Sequence, residues 1–400
     1  MNTAGLSPVD LVFLGLSIFT IVYWLTAMAC VVAFRDRPPA ATQSWLPVTV
    51  LKPLRGDDGH LYENLRSFCV QDYPTYEVIF GVRDGRDPAV AVVERLMREI
   101  PDIDLRLVVD ERTVGTNPKI NNVANLVGHA KHDALILADS DMRVTPDYLR
   151  AVVAPLEDPA VGLVTCLYYG VAPRGLASKL GAMFINEWFF PAALMSTRIG
   201  PLRHAFGATI GCRRETLRAI GGIEAVADQL ADDYMLGWLA SQRGLRVVLA
   251  PFIVENLVAE RDLRTLFFHE LRWARTLRTL RPLSYFCSFL TYGIPLSLLW
   301  IAVSGPARLA GAALVVHTGL RCAGRIVLSR SIGRPASWSH MWLIPVRDLA
   351  SCVLGVLSFL GHSVRWDGEH FRVRSDGRLE PEAGAAGPAQ LAGRVESTLY

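Results

Sequence analysis

The chain has 400 residues, 51% of them hydrophobic, and a formal net charge of +3. So weak a positive balance gives no basis for charge-driven nucleic-acid binding. A mean hydropathy of +0.27 points to membrane segments added to a folded domain. The seven cysteines (30, 69, 166, 212, 287, 322, 352) are scattered and form no C-x-x-C pair, which argues against a disulfide framework or zinc site and fits a reducing cytoplasmic face.

Residues 11–34 carry no charge. Such a run is long enough to cross about 30 Å of hydrocarbon and too long for a signal-peptide core. Asp10 precedes it, and Arg35 and Arg37 follow. Positive charge marks the cytoplasmic side, so the N-terminus is expected outside and the bulk of the chain inside. Residues 38–45 form a short linker.

Residues 46–51 (LPVTVL) read as a first strand, with 52–56 (KPLRG) as its exit loop. Residues 61–69 have helical spacing. A second strand, 76–82 (YEVIFGV), ends at Arg83-Asp84-Gly85. A helix over 88–100, a strand over 105–109 and a helix over 120–130 lead to 134–144 (ALILADSDMRV). There an unbroken apolar run, suited to a strand buried on both faces, stops at Asp139-Ser140-Asp141. If the extended geometry continues, both carboxylates point the same way, at the strand end where open α/β sheets bind ligands. Two hard oxygen ligands suit Mg²⁺ or Mn²⁺; a polar turn after a core strand is the plainer reading.

Further on, 146–155 is helical, 161–168 is a strand and 176–195 is amphipathic. Within the last, 184–190 (FINEWFF) suits a core helix or a wall beside a lipid. Residues 206–212 (FGATIGC) are glycine-rich, 213–220 are helical, and Asp232-Asp233 lead into a helix over 235–242. Adjacent acids there would also complement a helix dipole. Residues 245–250 are a closing strand. Alternating strands and helices imply an α/β domain with a mostly parallel sheet. Neither G-x-G-x-x-G nor a Walker loop is present, so dinucleotide and P-loop readings are weak.

His269-Glu270-Leu271-Arg272-Trp273 opens a basic stretch with Arg275, Arg278 and Arg281, suited to anionic headgroups or an anionic ligand. Residues 285–303 read as a membrane span, and 307–320 as a shorter one that crosses or re-enters. Arg321, Arg325, Arg330 and Arg334 resemble a cytoplasmic loop, and 341–361 are a third candidate span. Arg347 and Asp348 inside it would neutralise each other, line the site or mark an in-plane helix. Residues 381–393, rich in Ala, Gly and Pro, read as disordered. The expected divisions are an anchor (1–36), a catalytic domain (46–282), a membrane region (283–362) and a polar, partly disordered tail (363–400).

The series Asp84, Asp139/Asp141, Asp233 and Arg272-Trp273 resembles the D, D-x-D, D, Q-x-x-R-W series of GT-A glycosyltransferases of the processive and lipid-modifying type. VTVLKPLRG (48–56), Asp72-Tyr73-Pro74, NPKINN (117–122) and Asp232-Asp233-Tyr234 are similar to the ceramide glucosyltransferase family. The stretches FINEWFF, FGAT and HELRWART look most like its bacterial hopanoid-biosynthesis-associated branch. His269 departs from the Q of the motif.

The resemblance implies a GT-A, Rossmann-like nucleotide-sugar domain in a multi-pass protein of the bacterial inner membrane. It implies transfer from a UDP-sugar to a lipid hydroxyl: N-acetylglucosamine to a hopanoid polyol, or glucose to ceramide. Asp141 with Asp139 would hold the Mg²⁺ or Mn²⁺ that neutralises the leaving diphosphate. Asp84 would bind the uracil or ribose, and Lys119 a phosphate or an acid. Arg272 suits the diphosphate as a permanently charged fork, and Trp273 would pack beside the acceptor or the base of the site. Asp233 is the expected general base, with Asp232 and His269 in support. Direct attack from the far face would invert the anomeric carbon. A processive polysaccharide synthase would need more membrane helices, and a non-catalytic nucleotide-sugar scaffold would not need these acids.

Overall fold

The structure, a computed structural model, describes residues 6–35, 45–305, 308–335, 338–366 and 369–382. The linker up to residue 44 and the stretch expected to be disordered, beyond residue 382, lie outside the described residues.

Eight strands form the main sheet: β1 (Val48–Pro53), β2 (Tyr76–Val82), β3 (Asp104–Val109), β4 (Ala134–Leu137), β5 (Met142–Arg143), β6 (Val161–Val171), β7 (Ile210–Arg213) and β8 (Arg246–Leu257). Their order is β3-β2-β1-β4-β7-β6-β8-β5. Strands β1 to β4 are parallel, β7 runs antiparallel between β4 and β6, and β8 runs parallel to β6. Side chains alternate between two apolar layers, as the period of two requires. Val50, Val78, Phe80 and Ile136 pack with Phe68, Val93 and Leu96 on one face. Leu51, Ile79, Leu135 and Leu137 pack with Ile120, Leu126 and Leu236 on the other. The expected strands recur with small shifts. Strand β8 runs past the expected end at Ala250: Pro251 lacks an N–H, and the ladder crosses it through a register irregularity between the Thr165 and Leu167 pairings.

The helix Pro8–Arg35 is long and apolar enough to cross a membrane, and so is Arg308–Ser331. The span expected at 285–303 is not straight. Helical segments Pro282–Thr291 and Gly293–Ser304 meet at 68°. Pro295 supplies no N–H and its ring clashes with the carbonyl four residues back, so the first segment ends there. The carbonyls exposed at the bend are met from the first helix: Thr20 Oγ1 donates to Leu290 O (2.6 Å) and Trp24 Nε1 to Thr291 O (3.0 Å).

The arginine loop expected after residue 320 is instead helix through Ser331. Arg321, buried, and Arg325, half-buried, stay helical because they meet acids: Arg321 lies 2.9 Å from Asp348 and Arg325 2.7 Å from Glu187. Arg347 and Asp348, on the helix Leu343–Ser358, do not pair with each other; Arg347 reaches Glu270 at 2.7 Å. The basic helix Leu263–Leu280 also finds partners within the protein. Arg275 donates to Leu360 O (2.6 Å) and Arg278 to Gly361 O (3.0 Å), just past the C-terminus of Leu343–Ser358, where cations complement the helix dipole.

The tail expected to be polar from residue 363 contains three antiparallel strands, β9 (Ser363–Trp366), β10 (Glu369–Val373) and β11 (Leu379–Pro381). Val364, Phe371, Val373 and Leu379 alternate inward and bury against Leu230. That period of two is too brief to stand out beside the polar residues around it.

Candidate functional site

All nine residues singled out from the sequence line one cavity of about 1590 Å³. It opens beside the C-terminal ends of β1, β2 and β4 and continues to Trp188, Tyr285, Tyr292, Arg347 and Leu354 among the apolar helices.

Strand β4 stops at Leu137, and the D-x-D lies in the turn that follows, not on a continued strand. The two carboxylates therefore have different partners. Asp139 Oδ1 meets Lys119 Nζ at 2.7 Å, whereas Asp141 Oδ2 accepts from Asn256 Nδ2 at 2.8 Å. Burial, with the Asp139 charge nearby, pushes the Asp141 carboxyl up to about 7, against the Asn256 hydrogen bond. Lys52 supports the turn from below. Its side chain is fully buried, its ammonium donates to Asp139 O, and it sits 3.7 Å over the Phe68 ring. Burial lowers its pKa to about 7, with Asp139 and Asp141 opposing.

The NPKINN stretch is a helix start and a set of staples. Asn117 caps Pro118–Val127 by accepting from Lys119 N and Ile120 N, and Pro118 occupies the first turn, where its missing N–H costs nothing. Asn121 Oδ1 accepts from Val114 N and Gly115 N, and Asn122 Nδ2 donates to Gly81 O. These buried amides thus fix the end of β2 and the loop leaving β3. Lys119 stands between Asp139 and Asp232 (2.7 and 3.4 Å). The acids raise its pKa although burial opposes them.

Asp232 and Asp233 start the helix Asp232–Gln242. Asp232 is buried, with Lys119 and Asn117 beside it. Asp233 Oδ1 accepts from Tyr234 N at 2.7 Å. Burial first, then the Asp232 charge, push Asp233 up to about 7, with Lys119 opposing. Gly207 lies between the two acidic groups: a Cβ there would come within 3.2 Å of Asp233 Oδ2 and 3.5 Å of Asp139 Oδ2. Only glycine leaves this space open.

Asp84 is exposed at the mouth, and its Oδ1 accepts from Arg86 N. On Leu263–Leu280, Trp273 stacks on Phe184 (centroids 5.9 Å) and packs on His269 (4.2 Å). His269 Nδ1 lies 2.7 Å from Glu260 Oε1. Burial lowers the His269 pKa despite that contact. Burial also lowers Arg272, with Asp232, Asp139 and Asp233 opposing.

Sequence reading missed Lys52, Gly207, Asn256 and the small sheet. Lys52 falls in the stretch expected to be an exit loop, whereas the strand runs on through Pro53 and buries it; Asn256 and the sheet carried no signal. The sheet is attached to the site at two places. Leu230 N donates to Gly377 O (3.0 Å) and Leu379 N to Asp228 O (2.8 Å), fixing the loop that enters Asp232-Asp233. The Arg272 guanidinium lies 5.0 Å over the Trp366 ring. If Arg272 binds the donor diphosphate, as the resemblance implies, Trp366→Ala weakens donor binding by about 1–2 kcal/mol, roughly 5- to 30-fold in donor KM, with Trp366→Phe restoring most of it. An unchanged donor KM in a steady-state titration would show that Trp366 does not hold Arg272 in place.

A family model described as Glycosyl transferase family 21 matches residues 12–379. Ceramide glucosyltransferase 1 of Caenorhabditis elegans is 23% identical over 343 residues, covering 83% of this chain and 72% of that protein. Ceramide glucosyltransferase 3 of the same organism is 29% identical over 204 residues, covering 51% of this chain and 44% of that protein. Among solved structures, a mannosyltransferase from Pyrobaculum calidifontis in complex with GDP-Man and Mn²⁺ superposes with a TM-score of 0.57 at 18% identity, covering 87% of this chain and 99% of that one. That likeness shows a shared GT-A-like fold.

Proposed function

Because the chain belongs to glycosyl transferase family 21, and so is a glycosyltransferase, we propose that it moves one sugar from a UDP-sugar to a lipid hydroxyl at the membrane surface, with inversion. One observation carries this reading: a single cavity joins the acidic strand ends to the aromatic side chains of the apolar helices. A charged donor and an amphipathic acceptor can then meet without either leaving its preferred medium. The names of the relatives favour glucose transfer to ceramide. The resemblance of FINEWFF, FGAT and HELRWART to the bacterial hopanoid-associated branch favours N-acetylglucosamine transfer to a hopanoid polyol.

Asp139 and Asp141 suit a divalent ion. They are hard oxygen donors, and the unfavourable charge of Asp141 is what a cation relieves. Among the described residues no group of three or more His, Cys, Asp or Glu is arranged to hold a metal, so donor phosphate oxygens and water would complete the shell. Bound there, Mg²⁺ or Mn²⁺ would neutralise the leaving diphosphate. Arg272 sits on the same cavity wall, where its planar fork engages phosphate oxygens. Lys119 holds Asp139 and Asp232 in place. Asp84 binds the nucleoside at the mouth, and Trp273 packs beside the acceptor. Asp233 takes the proton of the acceptor hydroxyl as its oxygen attacks the anomeric carbon and UDP departs from the opposite face. The catalytic side of the membrane is then the cytoplasm.

A base must be deprotonated to act. With Asp233 raised to about 7, kcat/KM is expected to fall about tenfold per unit as pH drops below that value. A flat profile down to pH 5 would remove Asp233 from the role. Chelation should abolish transfer and Mn²⁺ restore it, and NMR of the product from an α-linked donor should show a β-glycoside. An α-linked product would contradict direct displacement.

A further inference from the structure

The acceptor end of the cavity contains an ion pair that the transfer chemistry does not use. Glu270 and Arg347 line this end with 4% and 2% of their surface exposed. Arg347 Nη2 donates to Glu270 Oε2 at 2.7 Å, its Nε donates to Ser351 Oγ at 3.1 Å, and its guanidinium lies 5.2 Å over the Phe184 ring. Glu270 Oε1 has no partner. A buried carboxylate oxygen left unpaired is costly, and a buried ion pair is by itself a weak stabiliser. The terminal torsion of a glutamate is broad, so its two oxygens readily exchange places. Glu270 therefore has one strong acceptor to offer, in a cavity also lined by the aromatic rings of Phe184, Trp188, Trp273 and Tyr292. That combination matches an amphipathic molecule with more than one polar group at its head.

We propose that Glu270, held by Arg347, is a specificity-determining residue that accepts a hydrogen bond from a second O–H or N–H donor beside the reacting hydroxyl of the acceptor lipid. The proposal rests on the lipid-acceptor reading above and narrows its substrate class to lipids with two adjacent donors. A polyol hydroxyl and an amide N–H supply the same chemistry.

The test compares the lipid that is glycosylated, a ceramide or a hopanoid polyol, with its analogue methylated at the donor next to the reacting hydroxyl. The wild type should prefer the unmethylated lipid by about tenfold or more in kcat/KM. In Glu270→Gln the amide oxygen turns to Arg347 and an NH₂ group faces the ligand, so this preference should collapse towards one. The UDP Kd should stay unchanged, which a loss of structure would not allow. Equal preference in variant and wild type overturns the proposal. So does a wild-type ratio near one, which decides the matter even if the variant fails to fold. Transfer to neither lipid by a wild type that still binds UDP overturns the lipid-acceptor reading and this proposal with it.

Discussion

Asp233→Asn is expected to lower kcat by about 10²- to 10⁴-fold while leaving UDP affinity within a small factor of wild type. Asparagine matches aspartate in shape and still accepts from Tyr234 N, the contact that Asp233 Oδ1 makes at 2.7 Å. It cannot take a proton from the acceptor hydroxyl. Asp232→Asn should behave differently, because Asp232 faces Lys119 and Asn117; weakening that cluster disturbs Asp139 as well and raises donor KM. Steady-state rates at saturating donor and acceptor, with UDP titration on each variant, separate the two roles. A loss of less than tenfold for Asp233→Asn would mean that another group is the base.

The second large effect concerns stability. Arg321→Met is expected to destabilise the protein by about 3–5 kcal/mol, seen as a fall in Tm of roughly 5–15 °C in detergent. Arg321 donates to Asp348 through Nε (3.0 Å) and Nη2 (2.9 Å), and to Glu187 O through Nη1 (2.7 Å). Its guanidinium lies over two rings that meet edge to face, those of Trp24 (4.2 Å) and Trp188 (4.4 Å). One side chain thus joins three apolar helices to the segment Ile185–Phe189, a π-helical turn that carries Glu187. Removing it strands Asp348, which is wholly buried. Arg321→Met with Asp348→Leu should recover part of the loss, because the orphaned charge goes too. An unchanged Tm for the single variant would show that the cluster does not hold these helices together.

The parallel half of the sheet was legible because strands buried on both faces are mostly apolar runs, and the runs before Arg83-Asp84 and Asp139 stop abruptly at charged residues. The long motifs 48–56, 117–122 and 269–276 made the site legible before any coordinates. Their mechanics were not. NPKINN does not reveal that its asparagines fasten neighbouring loops, nor does KPLRG reveal that Lys52 is buried beneath the D-x-D turn. The membrane half was read less well because hydropathy registers length and charge but not partners. Residues 285–303 are apolar enough to span, yet Pro295 and the bend place them in two segments at 68°. Arg321 and Arg325 resemble loop residues only until Asp348 and Glu187, distant in sequence, are brought beside them. The small sheet after residue 363 is stabilised by a few inward residues and by contacts with the 228–230 loop, which no local pattern encodes.

The most direct test is a donor and acceptor screen on the detergent-purified protein. UDP-glucose and UDP-N-acetylglucosamine are each paired with ceramide and with a hopanoid polyol, Mg²⁺ or Mn²⁺ is supplied, and the lipid phase is read by mass spectrometry. The predicted result is a lipid bearing a single sugar, formed by the wild type and absent with Asp233→Asn. UDP release with no glycolipid from any pair, or a lipid-free sugar polymer, would contradict the account.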